Sequence, residues 1–146
     1  MGRCTVTQVA IVAIQLLAAV VGCAAQAGGD PAAPDQVTLG ETFTLAAGAM
    51  AIVRGEELQV GFDRVLSDSR CPRGGQCIAE GEAVIQVWLS KPPRGRAMHE
   101  LRTAPAADAE AIYEDYRLRL VELAPYPQAN RTVRPSDYRA TLSVTR

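Results

Sequence analysis

The stretch that decides the fold is YRATLSVT, residues 138–145. Tyr138, Ala140, Leu142 and Val144 alternate there with Arg139, Thr141, Ser143 and Thr145. Successive side chains of a strand point to opposite faces, so this alternation predicts a strand with one face in a core and one in water. The same period recurs upstream. Tyr116, Leu118 and Leu120 alternate with Asp115, Arg117 and Arg119, and Leu123-Ala124-Pro125-Tyr126-Pro127 closes that strand. Residues 82–90, EAVIQVWLS, put Ala83, Ile85, Val87 and Leu89 on one face, with Val84 and Trp88 on the other. Apolar residues on both faces predict a central strand.

Earlier segments fit the same pattern. Leu58, Val60 and Phe62 share a face, and Val65 breaks the phase, which predicts a bulge or strand end near Asp63-Arg64. The alternation running from Val37 through Leu45 reads as one strand, and Met50–Val53 as a short one after the turn at Ala46-Ala47-Gly48. Met98–Arg102 reads as another. Residues 103–111, TAPAADAEA, read as a loop or one short turn. The expectation is therefore an all-β domain of about seven strands, a compact antiparallel sandwich or open barrel. An immunoglobulin arrangement around Trp88 is disfavoured. Its cysteines are far apart in sequence and bridge two sheets, whereas Cys71 and Cys77 close a local loop.

The N-terminal residues have a different character. Arg3 precedes VAIVAIQLLAAVV, residues 9–21, and Gly22-Cys23 follows. A charged start, a short apolar run and small residues at its end are the parts of a secretory signal. A membrane span needs about 20 apolar residues, which this run does not reach. Val20-Val21-Gly22-Cys23 resembles the lipobox of bacterial lipoproteins over those four residues and the run before them. The resemblance implies cleavage after Gly22 and a diacylglycerol on the Cys23 thiol. Ala24 in the second mature position then favours the outer membrane where a cell has two. The alternative is ordinary cleavage near Ala27, releasing a secreted or periplasmic protein. The expected organisation is a signal peptide helix at 1–22, a flexible Gly/Ala/Pro tether at 23–36, and a single β domain at 37–146.

Charge and cysteine use bound the function. With Arg3 removed, 14 of the 15 basic residues stand against 16 acidic ones, and no basic stripe suits nucleic acid. Of four cysteines, Cys4 leaves with the signal and Cys23 takes the lipid. Cys71 and Cys77, six positions apart in an oxidising compartment, are expected to pair. A zinc site would need more ligands than one histidine, His99, supplies, so neither metal nor cofactor is expected.

No catalytic set is apparent. Any Ser-His-Asp or Cys-His arrangement depends on His99, which reads as a solvated strand histidine. Arg73-Gly74-Gly75 lacks the Lys-Ser/Thr of a phosphate-binding loop. Glu80 and Glu82 read as carboxylates on a solvated strand face, and the Asn130-Arg131-Thr132 sequon as chance.

Residues 67–81, SDSRCPRGGQCIAEG, are the most distinctive. Their DSRCP…C…G-x-A pattern resembles small uncharacterised bacterial exported proteins over residues 58–89. That resemblance implies no activity. Such proteins carry an aromatic residue shortly after the second cysteine, where this chain has Ile78-Ala79. Asp68 and Arg70 can pair and pin the loop base. Arg73, between Pro72 and Gly74, offers a partner contact, in its sharpest form a protease-inhibitor-like loop over 71–77. The expectation is a non-enzymatic, lipid-anchored envelope protein with a binding or accessory role. Its partners would be the membrane, through the lipid, and another envelope component. The alternative is a small hydrolase using His99 or carboxylates.

Overall fold

A computed structural model describes residues 35–103 and 109–146. The expected signal peptide at 1–22, the expected lipidation at Cys23 and most of the expected tether at 23–36 lie outside the described residues. Those that are described form nine strands in chain order. They are β1 Asp35–Val37, β2 Thr42–Ala46, β3 Met50–Val53, β4 Leu58–Asp68, β5 Ala83–Ser90, β6 Ala97–Arg102, β7 Glu110–Tyr113, β8 Tyr116–Ala124 and β9 Arg139–Thr145. A single 3₁₀ turn covers Pro135–Asp137.

The strands make two sheets, β1-β3-β4-β5-β6 and β2-β9-β8-β7, and neither closes into a barrel. The all-β expectation therefore holds in its sandwich form. The strand count does not. The run from Val37 to Leu45 is two strands in different sheets, joined by a turn through Gly40 at φ 86°. Residues 103–111 were expected to be loop, yet Glu110 and Ala111 begin β7, which pairs with β8. The antiparallel expectation has one exception, β1, which runs parallel to β3.

Inward faces follow the period-2 pattern. Val60, Phe62, Ile85, Val87 and Leu89 of the first sheet meet Leu118, Leu142 and Val144 of the second, all fully buried. Burying side chains of this size contributes about 1.5–3 kcal/mol each, set against the entropy of ordering the chain. Register shifts fall between Phe62 and Arg64, as the broken phase predicts, and again between Val65 and Ser67. β5 lies between β4 and β6, as its two apolar faces predict. On its outer face Trp88 lies across Gly61, where a Cβ would overlap the indole. The Arg96 guanidinium lies over the ring, 3.8 Å from its centroid.

β4 and β8 run out toward one end of the sandwich, and β5 and β9 run back from it. The two long connections, 69–82 and 125–138, therefore meet at the same pole.

Candidate functional site

Cys71 and Cys77 are disulfide-bonded, with Cα atoms 5.9 Å apart. Backbone hydrogen bonds tie the base of this loop. Ser69 donates to the Glu82 carbonyl at 2.8 Å and Cys71 to the Glu80 carbonyl at 2.6 Å. Gly81 fits where these segments close, because its φ is 66° and a Cβ there would overlap the Ser69 carbonyl. Glu80 and Glu82 flank Gly81 in this loop, not on a strand face, and Glu82 pairs with Arg102 at 2.5 Å.

Asp68 ends β4, and Arg70 lies two residues beyond it. Their side chains pair in a fork, Nε to Oδ1 at 2.8 Å and Nη2 to Oδ2 at 2.7 Å. The side chains of Arg70 and Asp68 are only 7% and 8% exposed, so this is a buried ion pair and not a solvated one. Arg70 also donates to the carbonyls of Leu123 at 2.7 Å and Pro125 at 3.1 Å. Tyr138, just before β9, donates its hydroxyl to Asp68 Oδ2 at 3.0 Å. Burial pushes the Asp68 carboxyl up. The Arg70 and Tyr138 hydrogen bonds and the Arg70 charge outweigh it and hold the group below its ordinary value. Burial, and then the Asp68 carboxylate, push the Tyr138 hydroxyl up to about 12.

Asp68 and Arg70 thus bond one another, and Arg70 bonds across to the second connection. Arg73 joins the same stitching. Its amide donates to the Pro127 carbonyl, and its carbonyl accepts from Ala129, both at 3.0 Å. An inhibitor loop of the protease-blocking kind presents a free backbone and a projecting side chain. Here the Arg73 backbone is already paired, and its guanidinium lies over the Tyr126 ring, 5.2 Å from the centroid. Arg70 lies over the same ring at 5.0 Å. Beside them a cleft of about 450 Å³ is lined by Arg73, Glu80, Arg102, Arg119, Glu122 and Tyr126, among others.

His99 stands apart from this pole's network. It sits on β6, half-buried and in register with Val87, and its Nε2 is buried without a hydrogen-bond partner. It is therefore not the fully solvated histidine expected. Among the described residues no three His, Cys, Asp or Glu side chains gather as metal ligands.

The opposite pole holds a second network. The Tyr116 hydroxyl accepts from Lys91 Nζ at 2.8 Å and Arg146 Nη2 at 2.7 Å, and donates to Glu56 Oε2 at 2.5 Å. Sequence reasoning missed the hydroxyl roles of Tyr116 and Tyr138, and the contacts of the Tyr126 ring with Arg70 and Arg73. The inward phase of Tyr116 and Tyr138 was visible, but their partners come from distant turns. No protein-family model, curated protein or solved structure matches the chain.

Proposed function

We propose that this chain is a lipid-anchored cell-envelope protein whose β domain binds another envelope component through its disulfide pole and performs no catalysis. The observation that carries this reading is the cross-stitched pair of loops. The disulfide, the buried Asp68–Arg70 fork and the Arg73 backbone bonds order 69–82 against 125–138 before any partner arrives. Ordering a surface in advance lowers the entropic cost of association. Tyr126, 39% exposed and flanked by Arg73, is a residue pair of the kind that anchors interfaces.

The anchor rests on Val20-Val21-Gly22-Cys23 and on cysteine use. Cys71 and Cys77 satisfy each other, so the lipobox cysteine is the one thiol of the cleaved chain that needs another role. A covalent diacylglycerol, with or without a further acyl chain, keeps the domain at the envelope while its tether lets it sample partners.

Two measurements test this. Intact mass of the protein recovered from membranes should give a chain starting at Cys23 with diacylglycerol attached. A mass corresponding to cleavage near Ala27 would remove the anchor. Crosslinking in intact cells, through a photo-reactive residue at position 126, should capture one reproducible partner. Capture unchanged by Arg73→Glu would count against this pole as the binding surface.

A further inference from the structure

Ile78 is the most exposed large apolar side chain among the described residues, and it directly follows Cys77, between the disulfide and the Cys71–Glu80 backbone bond. An isolated exposed isoleucine on a mobile loop needs no explanation, because the loop can fold back. This one cannot. The Cys71–Cys77 bond, the Ser69 and Cys71 backbone bonds and the close approach of Gly81 to Ser69 fix both ends of the loop. The bonds of Arg73 to Pro127 and Ala129 hold its outer half against the neighbouring connection.

The pole that carries Ile78 presents an aromatic ring and cations together, with the exposed Glu80 two residues from Ile78. Tyr126 presents an amphipathic ring on the same pole. Arg73 lies on that ring and, with Arg131, has no carboxylate in salt-bridge reach among the described residues. Arg134 also belongs to this pole, paired to Asp137 at 3.2 Å.

The path of the chain points the same way. β3 runs away from the disulfide pole, and β1 is parallel to it, so Asp35 is the end of β1 nearer the disulfide pole. Asp35 is level with Ala51 and, through it, with Val60, eight residues short of Asp68 on β4. Eight strand residues span roughly 26 Å. Cys23 precedes Asp35 by 12 positions, and a chain of that length reaches at most about 40 Å. A lipid on Cys23 therefore allows the disulfide pole to meet the bilayer that holds the lipid.

We infer that the disulfide pole docks on the anionic headgroup surface of the membrane that carries the anchor. Ile78 enters the interface, Tyr126 lies at headgroup level, and Arg73 and Arg131 meet lipid phosphates. One isoleucine, one tyrosine and two arginines bind a bilayer weakly in free solution. A short tether changes this, because it holds the loop at an effective concentration of order mM near the surface. Docking would fix the orientation of the domain and leave the far pole, with Tyr116, facing away. This rests on the anchor proposed above, and it assigns the disulfide pole to lipid first and to a protein only when undocked.

The test uses the mature chain from Cys23 onward, coupled through the Cys23 thiol to a maleimide-headed lipid in phosphatidylglycerol vesicles. Coupling in this way reads docking whether or not the cell lipidates Cys23, which intact mass decides separately. Two variants each add one tryptophan: Ile78→Trp beside the disulfide and Arg94→Trp on the exposed turn at the far pole. Native Trp88, buried under Arg96, is a constant background. In the Ile78→Trp chain the added emission should shift to shorter wavelength and be lost to lipids brominated on their acyl chains. The Arg94→Trp chain should show neither change. Arg73→Glu, combined with Ile78→Trp, should restore emission on anionic vesicles. Equal quenching at both positions, or none at position 78, would overturn the inference.

Discussion

The two poles of the sandwich solve the same problem with different chemistry. Each brings a tyrosine hydroxyl, a carboxylate and at least one cation together where the strands end. At the disulfide pole, Asp68 and Arg70 are buried, and Arg70 spends its remaining donors on the backbone carbonyls of Leu123 and Pro125. At the far pole, Tyr116 itself is fully buried but its partners reach it from outside. Arg146 is 48% exposed and bonds side chains only, Glu56 and Asp115 among them. Charges bonded to backbone order the loops that carry those carbonyls. Charges bonded to other exposed side chains order little besides themselves. The difference explains why the longest connections of the domain lie at the disulfide pole and are nevertheless held against one another.

The comparison is most exposed at Arg70. Arg70→Met leaves Asp68 buried without its partner and two carbonyls without donors, and should cost about 3–5 kcal/mol. Urea unfolding of the variant measures this. Replacing both partners, with Asp68→Leu added to Arg70→Met, should recover a large part of the loss, because no charge is then left buried. A single variant that loses under about 1 kcal/mol would place the pair with ordinary surface bridges.

Tyr138→Phe tests the third member of the set. It removes a hydrogen bond to a charged acceptor, an effect of about 1.5–3 kcal/mol. It also has a pH signature. The folded Asp68 carboxyl lies below its ordinary 3.8, so its stabilising effect is present above that pH and is lost as pH falls below it. Without the Tyr138 bond the Asp68 carboxyl rises toward its ordinary value, and the acid-dependent part of the stability should shrink. In the unmutated chain Tyr138 adds an alkaline limb. Its hydroxyl titrates at about 12 when folded and 10.0 otherwise, so stability is full below pH 10 and falls between the two values. Denaturation midpoints between pH 2 and 6, and again between 9 and 12, separate the two limbs.

Converting Cys71 and Cys77 together to serine should cost about 2 kcal/mol, from the entropy of closing a short loop. The loss should be smaller than that of Arg70→Met, because the Ser69, Cys71 and Arg73 backbone bonds persist without the sulfur bridge. If the double serine variant proved the more damaging, the disulfide and not the buried fork would be the main pin of this pole.

How much of this was legible depended on how far apart in sequence the interacting groups lie. YRATLSVT declares its strand because its period and its burial agree at every residue. β7, Glu110–Tyr113, does not, because it offers four residues with Ala111 as one of its two inward positions. The division between β1 and β2 was hidden for a different reason. The alternation from Val37 to Leu45 keeps its phase straight through the turn at Gly40, so the period carries no sign that the chain changes sheets. At the site, the cysteine pairing and the proximity of Asp68 to Arg70 were local and readable. The burial of that pair was not, since it depends on Leu123 and Pro125, more than 50 positions away, and on Tyr138, 70 positions from Asp68.

Tyr116→Phe should have the smallest effect, about 0.5–1 kcal/mol, and it is the sharpest test of the difference between the poles. The ring stays in the core, so no cavity forms. Lys91 and Arg146 lose one acceptor each, but both reach solvent, and Arg146 keeps Glu56 at 2.7 Å and Asp115 at 3.1 Å. Lys91 and Arg146 are the groups whose titration should respond, because the Tyr116 hydroxyl is the first cause that holds each above its ordinary value. The substitution should therefore lower both. The tyrosine hydroxyls at 116 and 138 both sit among charges, and one is expected to matter at least as much as the other if local charge density alone sets the cost. Equal losses for Tyr116→Phe and Tyr138→Phe would mean that. A Tyr138→Phe loss several times larger would mean that the cost is set by whether the partner left behind can reach water.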